Sequence, residues 1–410
     1  MPRKSLVFLN SVKFQTRFGP AQFCDLEFRK RFVFSLIIYE LAPDFTIRDF
    51  AIADAGLRRQ STAQSDPNHP GTWLVKLESG KRYAGRIEGS SPSIMLMTRR
   101  NGRLAFIKKE SVESKKQVET GFRSKTFGQM KEKLQTEFGS KYQVSETPHF
   151  LVVHPPGEYK QWAEPFEELY VRFKAYFRTR GLTINEPEFP LVAVVLRTRN
   201  EFNRMLDQGN ISGDHNVVGY YSIKSNRLFT YKFSNAGRSE KQNIADTLDT
   251  IIHEASHQTA FNCGIHSRLF PNPRWTSEGL ATFFEADGIN NYFAFPDPKS
   301  KINWERLNSL RKYYDQGKVK GKLQSLVGSD NLFRSDPLLA YAISWGLTSY
   351  LAERNPHQYV KYLERLKQQE STASISRTNR LKHFVSVFGK IALVEGGMEN
   401  YINSLPKSSR

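Results

Sequence analysis

The chain has 410 residues, 39% hydrophobic and 13% aromatic, which is enough apolar side chain for a sizeable core and for about two or three structural units. Its longest apolar run, Phe32 to Tyr39, is too short to cross a bilayer, so no transmembrane segment is expected. The formal charge is +19, and residues 1–145 carry +12 of it, with 26 Lys and Arg against 14 Asp and Glu. Such a field favours an anionic surface or polymer as partner. Without a nucleic-acid fold signature beside it, nucleic acid is not the expected one, and a plain solubility role stays open.

In chain order, residues 1–68 read as a poorly patterned N-terminal extension ending in a polar linker, Arg58 to Pro70. Arg29-Lys30-Arg31 ahead of the apolar run resembles the start of a signal peptide, but it begins late and meets Glu40, which leaves the compartment open between export and cytoplasm. Cys24 and Cys263 allow at most one disulfide and decide no compartment; Cys263 is expected as a buried thiol.

Residues 69–118 hold four short β runs, Trp73–Leu77, Arg82–Ile87, Ser93–Met97 and Leu104–Lys108, separated by Ser79-Gly80, Ser90-Ser91 and Asn101-Gly102. They predict a small all-β barrel of SH3-like or Sm-like type whose ligand no motif names. Residues 119–290 alternate helical and extended patterns: Phe127–Phe138, Lys160–Arg178 and Glu201–Leu206 helical, Phe150–Val153 and Leu191–Leu196 extended. Val217–Tyr221 and Arg227–Tyr231 follow as a hairpin around the turn Ser222 to Asn226. An α+β domain is the result. Residues 291–410 are helical in pattern, with Trp304–Tyr314, Leu338–Glu353, Gln358–Gln368 and Met398–Leu405 as main segments of a subdomain that would complete a cleft.

The chemistry concentrates in residues 250–285. Ser239 with Gln242 forms a capping box, Ile244, Leu248, Ile251, Ile252 and Ala255 trace an apolar stripe, and Gly264 can end the helix. On it His253, Glu254 and His257 spell H-E-x-x-H. Residues four apart share a helix face, so both imidazoles reach one metal while Glu254, about 100° round, leans over an open coordination position. An amphipathic core helix explains the isoleucines but not two buried imidazoles without partners. After the Pro271-Asn272-Pro273 loop, Trp275 to Ala281 reads as a second helix crossing the first and carrying the acidic Glu278.

This pairing resembles the gluzincin metallopeptidases, the thermolysin-like superfamily in which a glutamate from the next helix joins the H-E-x-x-H histidines. It is similar above all to uncharacterised bacterial domains with a W-x-S-E-G-L-A-x-x-F-E segment, here Trp275 to Glu285. The resemblance is specific over residues 240–290 and looser from about Thr147 onwards. It implies a gluzincin-like fold, Zn2+ held by His253, His257 and Glu278, Glu254 as general base, and close approach of the two motif helices at Gly279. It also implies a peptide or protein substrate. Where the thermolysin pattern has an aspartate that orients a ligand histidine, this chain has Thr282; Glu285, one turn on, either takes that role or is a charge on the solvent face. Tyr341, on a downstream helix, is the candidate oxyanion donor or else a packed aromatic, with His266 as a rival placed in the loop between the motif helices. Leu228 to Phe233 stands where gluzincins carry an edge strand that pairs with substrate backbone, or where a purely structural edge strand would lie. Zinc-dependent peptide hydrolysis is the leading reading. The alternatives are a catalytically silent peptide binder and a basic, nucleic-acid-associated protein with a structural metal.

Overall fold

The computed structural model describes residues 34–35, 71–208, 217–367 and 376–407. The expected extension and linker therefore lie outside the described residues except for Phe34–Ser35, and so does Cys24. The elements run β1 Phe34–Ser35, β2 Thr72–Leu77, β3 Arg82–Ser90, β4 Ile94–Arg99, β5 Leu104–Lys108, β6 Val112–Glu119 and α1 Phe127–Phe138. Next come β7 Gln143–Glu146, β8 Phe150–His154, α2 Tyr159–Arg178, β9 Leu191–Leu196, α3 Arg199–Gln208, β10 Val217–Ser222 and β11 Arg227–Tyr231. The motif helices are α4 Glu240–Asn262 and α5 Arg274–Phe284, followed by α6 Asp287–Asn290, α7 Trp304–Asp315, α8 Lys322–Gly328, α9 Leu332–Ser335, α10 Pro337–Arg354, α11 Pro356–Lys367, α12 Arg377–Phe388 and α13 Ile391–Ser404. The chain is thus mixed α and β.

Two sheets organise the first half. The smaller is antiparallel, in the order β5-β4-β3-β2-β6, and its inner face buries Val75, Ile87, Met95, Met97, Ala105 and Ile107. Its fifth strand, β6, escapes a hydrophobicity reading because Val112 to Glu119 is largely solvent-exposed; pairing with β2 holds it instead. The larger sheet is mixed, in the order β1-β10-β11-β9-β8-β7, with β8, β9 and β11 parallel neighbours. Every residue of β9, LVAVVL, is buried, as expected of a strand covered on both faces. Side-chain alternation sorts the two faces: Leu151, Val153, Val192 and Val194 join Met130, Leu134 and Phe202 of α1 and α3. Phe150, Val152, Ala193 and Val195 meet Phe166 and Tyr170 of α2 and Ile251 and Ala255 of α4.

β10 and β11 form the expected hairpin, with Asn226 in the left-handed region at its turn. The expectation of β11 as an edge strand fails, because it pairs with β10 on one side and β9 on the other. Its apolar residues suit an interior position at least as well as a half-covered rim.

The helical second half shares one core. α5 and α10 are buried almost all round, with Leu280, Phe283, Tyr341, Ile343, Trp345 and Leu347 inside. α13 begins well ahead of the segment its pattern suggests, because Gly396 and Gly397 weaken the helical signal; a Cβ at Gly397 would lie 2.3 Å from the Tyr350 hydroxyl. Among the described residues no helix is long and apolar enough to cross a membrane. Cys263 is fully buried, and burial pushes its thiol up to about 12.

Candidate metal centre

The helix α4 starts where its capping box places it: Ser239 Oγ accepts the Gln242 N–H at 3.2 Å, and Gln242 Oε1 accepts the Ser239 N–H at 2.9 Å. It ends at Asn262, two residues before Gly264, whose φ of +79° a side chain would strain, while the Ile265 N–H returns to the Ala260 carbonyl at 3.0 Å. Between these ends the helix crosses the large sheet. The Gln258 amide donates to the Val192 and Asn226 carbonyls at 3.0 and 3.2 Å, which pins the rotation of the helix about its axis. His253 and His257 are then carried away from the sheet and towards α5.

The loop from α4 to α5 is held by its own polar side chains. Asn272 bridges the Ser267 backbone, accepting its N–H at 3.1 Å and donating to its carbonyl at 2.8 Å. Arg268 donates to the Gly102 carbonyl of the small sheet at 2.6 Å and to Ile223 of the hairpin at 2.8 Å, so both β units fix the loop. His266 lies in this loop as expected, 2% exposed, with neither ring nitrogen hydrogen-bonded among the described residues; burial holds it neutral, down to about 3.

His253, His257 and Glu278 come together. Their side chains are 1%, 1% and 0% exposed. The two Nε2 atoms are 3.1 Å apart, and Glu278 Oε2 lies 3.6 Å from His253 Nε2 and 3.4 Å from His257 Nε2. Neighbouring ligands of a tetrahedral ion bound at about 2.0–2.2 Å are about 3.3–3.6 Å apart, whereas hydrogen bonds close to about 2.7–3.2 Å. Both carboxylate distances exceed the hydrogen-bond range and match the ligand spacing. The three atoms lie within 4.8 Å of one another, and this group could hold a metal ion at a point shared by all three.

Around the triangle, Glu285 settles the question its sequence position leaves open. It orients a histidine. Its Oε1 accepts from His253 Nδ1 at 2.6 Å and its Oε2 from Asn303 Nδ2 at 2.6 Å, which turns His253 Nε2 towards the shared point. Thr282 instead donates to the Glu278 carbonyl of its own helix at 2.7 Å and does not reach a histidine. Asn303 also donates to the Thr282 carbonyl at 3.1 Å, and nothing local in the sequence marks this partner. His257 Nδ1 is buried without a hydrogen-bond partner among the described residues.

The protein's own charges favour a proton on one imidazole. Burial works against charge on His253, but the neighbouring Glu278 carboxylate and the hydrogen bond to Glu285 outweigh it and raise the group to about 10. Burial dominates at His257 and lowers it. Glu278, although buried, is held well below the usual carboxylate range by both histidines. Replacing Glu285 with Ala should loosen His253 and weaken metal affinity about 10- to 100-fold, measured by chelator competition; unchanged affinity would assign Glu285 a purely structural role.

Glu254 is fully buried one residue beyond His253. β10 passes directly over it, since a Cβ at Gly219 would lie 3.2 Å from Glu254 Cγ and 2.6 Å from Thr250 Cγ2. A strand beside the acid is therefore β10. Tyr341 stands on α10 behind Glu278: Arg274 Nη2 lies 3.5 Å from its hydroxyl, Arg274 Nε 3.2 Å from Glu278 Oε1, and the Arg306 guanidinium 5.4 Å from its ring centroid. Burial raises its pKa, so the hydroxyl keeps its proton. Arg274 is a site residue that the motif reading overlooks, although its position one helical turn before Glu278 places it on the same face.

Gly279 does permit a close helix approach, but to a different partner from the one expected. A Cβ there would lie 2.3 Å from Thr348 Oγ1 and 2.6 Å from the Ser344 carbonyl, both on α10, so the glycine seats α5 against α10 and not against α4. The Gly279→Ala protein should lose about 1–3 kcal/mol of unfolding free energy by denaturant titration. Equal stability would show that α10 can yield.

A family model described as "Protein of unknown function (DUF1570)" matches residues 247–372, a span that holds His253, Glu254 and His257 of α4, the whole of α5, and Tyr341. No curated protein matches the chain.

Proposed function

We propose that this protein is a zinc-dependent hydrolase of peptide bonds, with His253, His257 and Glu278 as metal ligands and Glu254 as general base. The observation that carries the reading is the buried group of two Nε2 atoms 3.1 Å apart and one carboxylate oxygen at ligand spacing from both, with Glu254 on the adjoining helical position. Two imidazoles and a carboxylate suit zinc, and three protein ligands leave a fourth position for solvent. When bound, zinc lowers the pKa of water to about 7 and polarises a carbonyl oxygen.

The chain's own groups supply the rest. Glu254 accepts a proton from the attacking water and returns it to the departing amine, a role worth about 10²- to 10⁴-fold in rate. Tyr341, kept protonated by burial, offers an O–H to charge developing on the carbonyl oxygen. Glu285 and Asn303 hold His253 in place. A ligand glutamate from the helix after H-E-x-x-H is the gluzincin arrangement, which supports a gluzincin-like catalytic unit. The strand order β5-β4-β3-β2-β6, with the first strand between the second and the last, supports an SH3-like or Sm-like barrel ahead of it. The deciding experiment pairs metal analysis with a peptide-library cleavage profile. One zinc per chain with chelator-sensitive cleavage is the expected result, whereas bound zinc without cleavage would leave a peptide-binding cleft.

A further inference from the structure

We propose that Arg274 binds a substrate carboxylate next to the scissile amide, which makes the protein selective for peptides carrying an anionic group at the cut. The inference rests on the amide-hydrolase reading above and deepens it. Arg274 precedes Glu278 by one turn of α5 and touches its Oε1, the oxygen turned away from the imidazole pair. A guanidinium has five N–H donors in a planar fork. Here Nε is directed at Glu278 and one Nη2 hydrogen at Tyr341, while Nη1 has no acceptor among the described residues. The side chain is 23% exposed, whereas the three candidate ligands are buried. Arg306, the other arginine of the site, is buried at 4% exposure. Of these two described arginines, Arg274 is therefore the one open to an incoming molecule.

Charge balance points the same way. Glu254, Glu278 and Glu285 contribute three negative charges, against two positive ones from Arg274 and Arg306. A divalent ion with neutral imidazoles would leave the group positive, and a guanidinium near a cation gains when an anion sits on its outer edge. Arg pairs with carboxylates through two parallel hydrogen bonds, which gives direction as well as attraction. Because Arg274 touches the same carboxylate that faces the histidines, the recognised group belongs to a residue adjoining the cut. It is either the chain-terminal carboxylate or an acidic side chain.

The test uses the zinc-loaded full chain and two sets of matched peptides, one with a free or amidated C-terminus and one with Glu or Gln beside the cut. The wild type should favour the charged member of one set by about 10- to 100-fold in kcat/KM, and which set responds identifies the source of the carboxylate. Arg274→Gln should bring that ratio to near one, whatever its overall rate. Arg274→Lys, which keeps charge but loses the fork, should retain part of it. A wild-type ratio of one in both sets, or a ratio unchanged in both variants, would overturn the inference. If no peptide is cut, the hydrolase reading fails, and succinate serves as a separate probe: it should raise the melting temperature of the wild type but not of Arg274→Gln. No shift in the wild type overturns carboxylate binding.

Discussion

Zinc-loaded Glu254→Gln protein should retain one metal per chain and lose at least about 10²-fold in turnover. The substitution keeps the side chain's size and its packing against Gly219, so the fold around it has no reason to move. It removes the only property the proposed chemistry requires of this residue, a carboxylate that takes up and gives back a proton. Glu254 is not one of the three side chains facing the shared point, which separates its loss from loss of metal. Metal content and kcat on a cleaved library peptide, measured on the same preparation, decide the matter. Wild-type turnover in the variant would remove Glu254 from the base role, and loss of zinc would make it a ligand.

The sequence was most informative where one residue's neighbours lie within a turn or two. His253, Glu254 and His257 share a helix whose cap and terminator can be read locally, and Ser239, Gln242 and Gly264 sit where those signals put them. Glu278 follows on the next helix, and its approach to the histidines agrees with the motif spacing. What sequence reading mistook or missed depends on partners far along the chain. β11 is interior because β9 pairs with it, a relation that Leu228 to Tyr231 do not encode by themselves. Gly279 looks like a spacer between motif helices, but its tight neighbours are Ser344 and Thr348, about seventy positions later. Asn303 shares Glu285 with His253 from another helix's N-cap, and Glu285 itself has two equal readings until that contact is known. β6 illustrates the converse: backbone pairing with β2 makes a strand of a polar segment.

Zinc added in about a thousandfold excess over its dissociation constant should stabilise the wild type by about 4 kcal/mol, and that gain should vanish in His257→Ala and in Glu278→Ala. The reason lies in the buried charges. Glu278 is wholly inaccessible, and with the protein's own groups its negative charge is met by Arg274 and by a proton held on His253. A divalent ion at the shared point would replace that proton and bring His257 Nε2 and both other ligand atoms into one coordination sphere. Binding at pH 7 should accordingly release a proton, because His253 is raised to about 10 and a ligand imidazole must be neutral. Removing His257 leaves two ligands and a hole; removing Glu278 leaves Arg274 without its carboxylate beside two imidazoles. Either variant should melt at the same temperature with or without zinc, while the wild type melts higher with it. Calorimetry in two buffers of different ionisation enthalpy counts the released protons. Equal zinc-dependent stabilisation in wild type and both variants would place the ion elsewhere and end the proposal for this site.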